Sequence, residues 1–224
     1  MPRDGQPTET APVILPDLLS LTAAAVPPAE AVLDIAKDRV RAEVTVDGRV
    51  SGGAIEANQT MAHGLAWLAI YVESLRQMQA GAERLQADGK FGEVEQLIHQ
   101  IAFGEYLWQI YGGMPMNQGE ILRLQDIGLT QEDQRGLMIA EVQTLTQMGN
   151  TQDARTRLVE LMQERSAEIT VGASGLDEEL EMIREQFRRY AVDKVEPYAH
   201  EWHLKDELIP MEVIDELAEM GVFG

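Results

Sequence analysis

The chain has 224 residues, enough for one large domain or two small ones around a sizeable core. Its 38 acidic against 18 basic residues give a formal net charge of −20, a surface that repels phosphate backbones and anionic lipids, so neither nucleic acid nor membrane is expected as a partner. With no cysteine there is no disulfide, thiolate nucleophile, iron–sulfur cluster or Cys-based zinc site, and a cytoplasmic protein is expected.

Residues 1–15, with Pro2, Gly5, Pro7 and Pro12, read as a flexible tail without the apolar core of a secretory signal. A short helix is expected from Asp17, interrupted at Pro27-Pro28. Pro28 then opens a helix from Ala29 to Val46 through Val32, Ile35, Ala36 and Val40, closed by Asp47-Gly48. The strongest helical pattern covers Gly53 to Ala87, where Met61, Leu65, Leu68, Val72 and Leu75 recur at spacings of four and three. Trp67, Ile70 and Tyr71 widen that stripe. The apolar stretch Met61 to Val72 is broken by His63 and Gly64 and is too short to span a bilayer. A third helix follows through Val94, Leu97, Ile98, Ile101, Leu107, Trp108 and Tyr111 and stops at Gly112-Gly113.

Residues 114–130 read as a connection, followed by helices over about 131–148 and 152–166. Ile169 to Gly175 forms a linker. A charged helix then spans Asp177 to Ala199, and Pro210 starts a last helix from Met211 to Met220, stopped by Gly221. No run alternates apolar and polar residues over strand length. The expected fold class is all-α, a bundle of antiparallel helices.

Candidate chemistry is sparse. Glu95, His99 and Glu105 share one helix, but a di-iron bundle needs Glu-x-x-His pairs on two helices, and here the spacing is one residue too long with no second copy. His200 and His203 lie three apart, whereas two zinc-binding histidines on a helix need a full turn between them. No serine sits in a nucleophile elbow. Asp177, Glu178, Glu179 and Glu181 read as a helix N-terminal turn. Gly52-Gly53 and Gly112-Gly113 lack phosphate-loop spacing, and Trp67, Tyr71, Trp108 and Tyr111 read as core packing. No catalytic, cofactor-binding or metal residue is assigned.

The run Phe187-Arg188-Arg189-Tyr190-Ala191-Val192-Asp193-Lys194-Val195-Glu196-Pro197-Tyr198-Ala199 is followed by Trp202, Asp206, Ile209-Pro210, Val213, Leu217 and Met220-Gly221-Val222-Phe223-Gly224. Together they resemble the opening helices of the acyl-CoA dehydrogenase family, where one helix ends at a proline and a second starts at one. The resemblance implies three regions: a tail (1–15), a helical extension (16–170), and the first helical hairpin of the family's N-terminal domain (175–224). In that family the flavin and the catalytic carboxylate belong to parts far downstream. The resemblance therefore implies an N-terminal fragment that is inactive alone. FAD belongs to the full-length enzyme and none is expected here.

A long helical extension is similar to that of the methylsuccinyl-CoA-oxidising members, and Gly104-Glu105-Tyr106-Leu107, Gln109, Gly112 to Met116, Gln118-Gly119-Glu120 and Arg123 resemble that subgroup. Those members convert methylsuccinyl-CoA to mesaconyl-CoA in the ethylmalonyl-CoA pathway. The implied partners are an acyl-CoA, electron-transfer flavoprotein and further copies of the chain. The alternative is a stand-alone helical interaction or regulatory module. The apolar ending Val222-Phe223-Gly224 speaks for a truncated chain. Finally, Gln109, Gly112-Gly113, Glu120, Arg123 and Asp126 resemble a run in the family's C-terminal four-helix domain. Either residues 53–166 are a degenerate copy of that domain, or this is an ordinary helix stop with surface charges.

Overall fold

The computed structural model describes residues 12–165 and 171–223. Most of the tail 1–15, the end of the helix expected to reach Ser166, and Ile169 at the start of the linker lie outside the described residues. The chain divides into two compact units, residues 1–173 and 174–224.

The first unit opens with one continuous helix, α1 (Leu18–Val44), which contains both Pro27 and Pro28. The expected break there does not occur. Each proline withholds a donor from the carbonyl four residues back. Ala23 and Pro27 lie on the exposed side, where water can replace it. On the opposite side Ala25, Ala29, Val32, Leu33 and Ala36 are buried and hold the helix together across the prolines. Among the described residues α1, rather than Met61 to Val72, is by length and composition the helix apolar enough to cross a membrane; here it packs into the unit's core.

Asp47-Gly48 does not simply end a helix. It forms a two-residue hairpin between β1 (Thr45–Val46) and β2 (Arg49–Val50), with positive φ at both Asp47 (51°) and Gly48 (76°). That is the primed turn whose twist suits two antiparallel strands. A short α2 (Gly52–Ala57) follows, capped by Ser51 Oγ, which accepts from Ala54 N at 3.3 Å. The helix expected over Gly53–Ala87 is interrupted at Asn58, whose side chain donates back to Ala54 O at 3.0 Å, and resumes as α3 (Gln59–Ala87).

Next come α4 (Glu93–Gly112) and a hairpin of β3 (Met114–Asn117) and β4 (Glu120–Leu122), in the stretch expected to be a plain connection. A 3-10 turn (Leu124–Ile127) and α5 (Gln131–Arg135) lead to α6 (Ala140–Thr144), which widens into a π turn (Leu145–Gly149). The last helix of the unit is α7 (Gln152–Glu164).

Directions follow from the contacts. Thr22 at the start of α1 bonds Gln79 late in α3, and Glu30 pairs with Arg76, so α1 and α3 are antiparallel. Tyr71 of α3 bonds Gln109 near the end of α4, reversing direction again. Gly104 faces Leu145 and Gly149 faces Gln100, so the α6–π segment runs against α4, and α6 also touches α1. These four elements form an up-down-up-down bundle, whose first helix lies before residue 53. Its core is built on Leu68, Leu75, Phe103, Leu107, Leu137 and Leu145. Val94 and Leu97 form a second cluster with Ala154 and Leu161 of α7.

The second unit consists of α8 (Glu178–Tyr190), a π turn (Ala191–Val195), α9 (Glu196–Lys205) and α10 (Met211–Glu219). Asp177 Oδ1 caps α8 by accepting from Leu180 N at 2.9 Å. The helical path does not end at Pro197. That proline sits in the first turn of α9, where no helical donor is required, and the chain stays helical to Lys205. Asp206, with φ 56°, makes the turn instead. Tyr190 donates to Val213 O (3.2 Å), and Lys194 pairs with Glu216 (3.2 Å), tying α8 and the π turn to α10. The two units are predominantly helical, as the all-α reading requires.

Candidate functional site

The run Gln109, Gly112-Gly113, Glu120, Arg123, Asp126 occupies the end of α4 and the hairpin after it. Gln109 is fully engaged. Its amide donates to Glu105 Oε1 (2.6 Å), and its Oε1 accepts from Tyr71 OH (2.5 Å). Glu105 Oε2 accepts from Asn150 Nδ2 (2.6 Å) and lies 3.8 Å from Arg155, whose Nε reaches Asn150 Oδ1 at 2.6 Å. This polar chain ties α3, α4 and the start of α7 together. Burial raises the Tyr71 phenol, with the neighbouring Tyr106 and Glu105 adding to it, so Tyr71 stays a neutral donor.

Gly113 adopts φ 137°, and a Cβ there would lie 2.6 Å from Ile121 Cγ2. Glu120 accepts from Asn117 (2.9 Å), and Asp126 from Arg123 N (2.7 Å). The space in front of Gly113 is filled by Ile121, and the carboxylates close turns of their own chain. These residues do not fit the cradle of a flavin.

The aromatic residues divide. Tyr71 is buried, its ring centroid 4.9 Å from that of Tyr106. Trp108 and Tyr111, expected in the core, are exposed at 51% and 39%, with ring centroids 6.1 Å apart. Helix α4 is buried on the face of Phe103, Leu107 and Ile110, and Trp108 falls on the other side.

The metal candidates do not converge; among the described residues no group of three His, Asp or Glu side chains could hold an ion. Glu95 closes the N-terminus of α4, accepting from Gly92 N (3.0 Å) and Ala173 N (2.7 Å). His99 is buried between Phe91 and Phe103, with Nε2 3.0 Å from Thr22 Oγ1. Burial pushes its pKa down to about 4, so it is neutral at pH 7. His200 and His203 are exposed on α9.

Two buried polar clusters escaped the reading of the sequence. Thr22 Oγ1 donates to Gln79 Oε1 (2.6 Å) beside His99. Gln100 accepts from Leu15 N (2.7 Å) and donates to Val13 O and Gly149 O (both 3.0 Å), sewing the chain before α1 to the end of the π turn. The available signal was positional. Gln79 and Gln100 interrupt apolar stripes one turn after Leu75 and Leu97, where an unpartnered amide would be costly.

Among the described residues, the bundle and the helical hairpin define a helical scaffold. Residues 177–224, the greater part of the second unit, match the family of the acyl-CoA dehydrogenase N-terminal domain. Among curated proteins, the chain is similar to (2S)-methylsuccinyl-CoA dehydrogenase of Cereibacter sphaeroides, with 56% identity over 211 residues. That likeness covers 94% of this chain and 38% of the relative, so it runs through the extension as well as the hairpin.

Proposed function

We propose that these residues form the N-terminal part of a flavin-dependent acyl-CoA dehydrogenase that oxidises methylsuccinyl-CoA to mesaconyl-CoA, in the ethylmalonyl-CoA pathway of the cytoplasm. The observation that carries this reading is the identity through residues before 177, where the family match alone does not extend. A shared hairpin would point only to the broad family.

In this reading FAD and the proton-abstracting carboxylate belong to parts of the protein beyond these residues. The bundle of α1, α3, α4 and α6 is then a scaffold. Electron-transfer flavoprotein is the proposed acceptor of the electrons, and the protein works as a homo-oligomer. The proposed division is residues 16–170 as extension and 175–224 as the beginning of the dehydrogenase domain.

The test is a substrate panel on the whole protein that carries these residues. With an electron acceptor present, methylsuccinyl-CoA should lose two hydrogens and give mesaconyl-CoA, identified by mass and retention. Turnover of straight-chain acyl-CoAs in its place would defeat the subgroup assignment while leaving the broader class standing.

A further inference from the structure

A surface pocket of about 430 Å³ lies among Tyr111 of α4, Gln125 of the 3-10 turn, and Gln131, Gln134 and Arg135 of α5. The lining is unusual for a chain of net charge −20. It offers a phenol, three amides and a guanidinium, all able to donate, and no carboxylate. Of the nearby acids, Asp126 accepts from Arg123 N, Asp133 accepts from Thr130 N and Oγ1 and faces Arg39 at 3.9 Å, and Glu132 is exposed and does not line the pocket. Arg135 has no ion-pair partner among the described residues.

Gln134 supplies the independent observation. It is buried, with 8% exposure, and its Nε2 is the one buried side-chain nitrogen or oxygen among the described residues that lacks a hydrogen-bond partner. Buried polar groups are rarely left so. The Thr130–Asp133 capping box fixes the start of α5, so the backbone of Gln134 is held. Its terminal amide torsion is broad and roughly two-fold, so a half turn exchanges the positions of Oε1 and Nε2. An acceptor seated in the pocket can therefore recruit the unused donor.

We infer that this pocket binds a phosphate or carboxylate group of a small molecule, with Arg135 as the charged fork and Gln134 as the buried donor. A guanidinium suits both oxyanions because its parallel N–H groups match two oxygens at once. The volume falls in the range of small-molecule pockets and exceeds the needs of a bare ion.

The test is an NMR titration of the 224-residue chain with inorganic phosphate and, separately, with acetate, each against sodium chloride of matched ionic strength. Saturable shifts of the Gln134 side-chain amide and the Arg135 Nε–H are expected with at least one anion; the tighter of the two distinguishes a phosphate from a carboxylate ligand. Arg135→Gln should weaken that binding about tenfold, the effect of losing one charge-assisted contact. Arg84→Gln, on a different helix, should leave it unchanged. Gln134→Leu should weaken binding several-fold while raising the melting temperature, because the unpartnered donor is gone. No saturable shift at these residues, equal loss in the Arg84 variant, or unchanged affinity in both pocket variants would overturn the assignment.

Discussion

Replacing Gly104 by alanine sets two known effects against each other at one position. In a helix interior alanine is favoured over glycine by about 0.8–1.0 kcal/mol. At Gly104, however, the added Cβ would lie 2.8 Å from Leu145 O and 3.1 Å from Asn150 N. Neither atom can swing aside, since both belong to the backbone of the segment packed on α4. Overpacking of this kind costs about 1–3 kcal/mol, so the net result is a loss of up to about 2 kcal/mol. At about 2–4 °C per kcal/mol for a domain of this size, the melting temperature falls by several degrees. Gly81 in α3 is the control. Its Cβ would meet only Arg84 Nη2 at 3.8 Å, and Gly81→Ala should stabilise by roughly 0.5–1 kcal/mol. Urea and thermal unfolding followed by circular dichroism measure both variants. If Gly104→Ala stabilises as much as Gly81→Ala, the close approach of α4 to the π turn is wrong.

Burial holds the His99 pKa near 4, below the ordinary 6.5, so on acidification the unfolded chain takes up its proton first. The contribution to stability is complete above pH 6.5 and falls by about 3 kcal/mol as the pH drops toward 4; an NMR titration placing the His99 ring near 6.5 would contradict its burial. Thr22→Val removes the partner of Gln79 and His99 and should cost about 1–3 kcal/mol in urea unfolding, whereas an unchanged midpoint would mean the cluster is not formed. Helices α8, α9 and α10 contain no buried residue, so in the isolated chain their amides should exchange with deuterium well before those of α3 and α4. Equal protection would show that the hairpin's exposed face is covered.

Helical periodicity made α3, α4 and α7 legible because their buried residues repeat along a single face. The breaks were harder, for reasons that differ by position. At Pro27-Pro28 local chemistry predicts interruption, but burial of Leu18 and Ala25 on one side and of Ala29, Val32 and Ala36 on the other outweighs it. At Asp47-Gly48 the residues of a primed turn were present, yet strands of two residues are too short for alternation to show. Helix α4 illustrates the limit of counting apolar residues: its stripe is helical, but Ile98, Trp108 and Tyr111 fall outside the buried face. The candidate site was less legible still. The Gln109 run is visible in the sequence, but the engagement of Gln109 depends on Tyr71, 38 positions away on another helix, and on Glu105, which is in turn held by Asn150, 45 positions further along the chain. The vacant donor of Gln134 has no sequence signature at all, since it is defined by what fails to pack beside it.

The reading of this chain as part of a methylsuccinyl-CoA-oxidising enzyme is tested most directly by adding that substrate, without oxygen or other acceptor, to the whole protein that carries these residues. The purified protein is expected to be yellow, with a flavin band that bleaches on addition of methylsuccinyl-CoA as mesaconyl-CoA forms in step. A protein without flavin, or one whose band is unchanged by methylsuccinyl-CoA and bleached by another acyl-CoA, would contradict it.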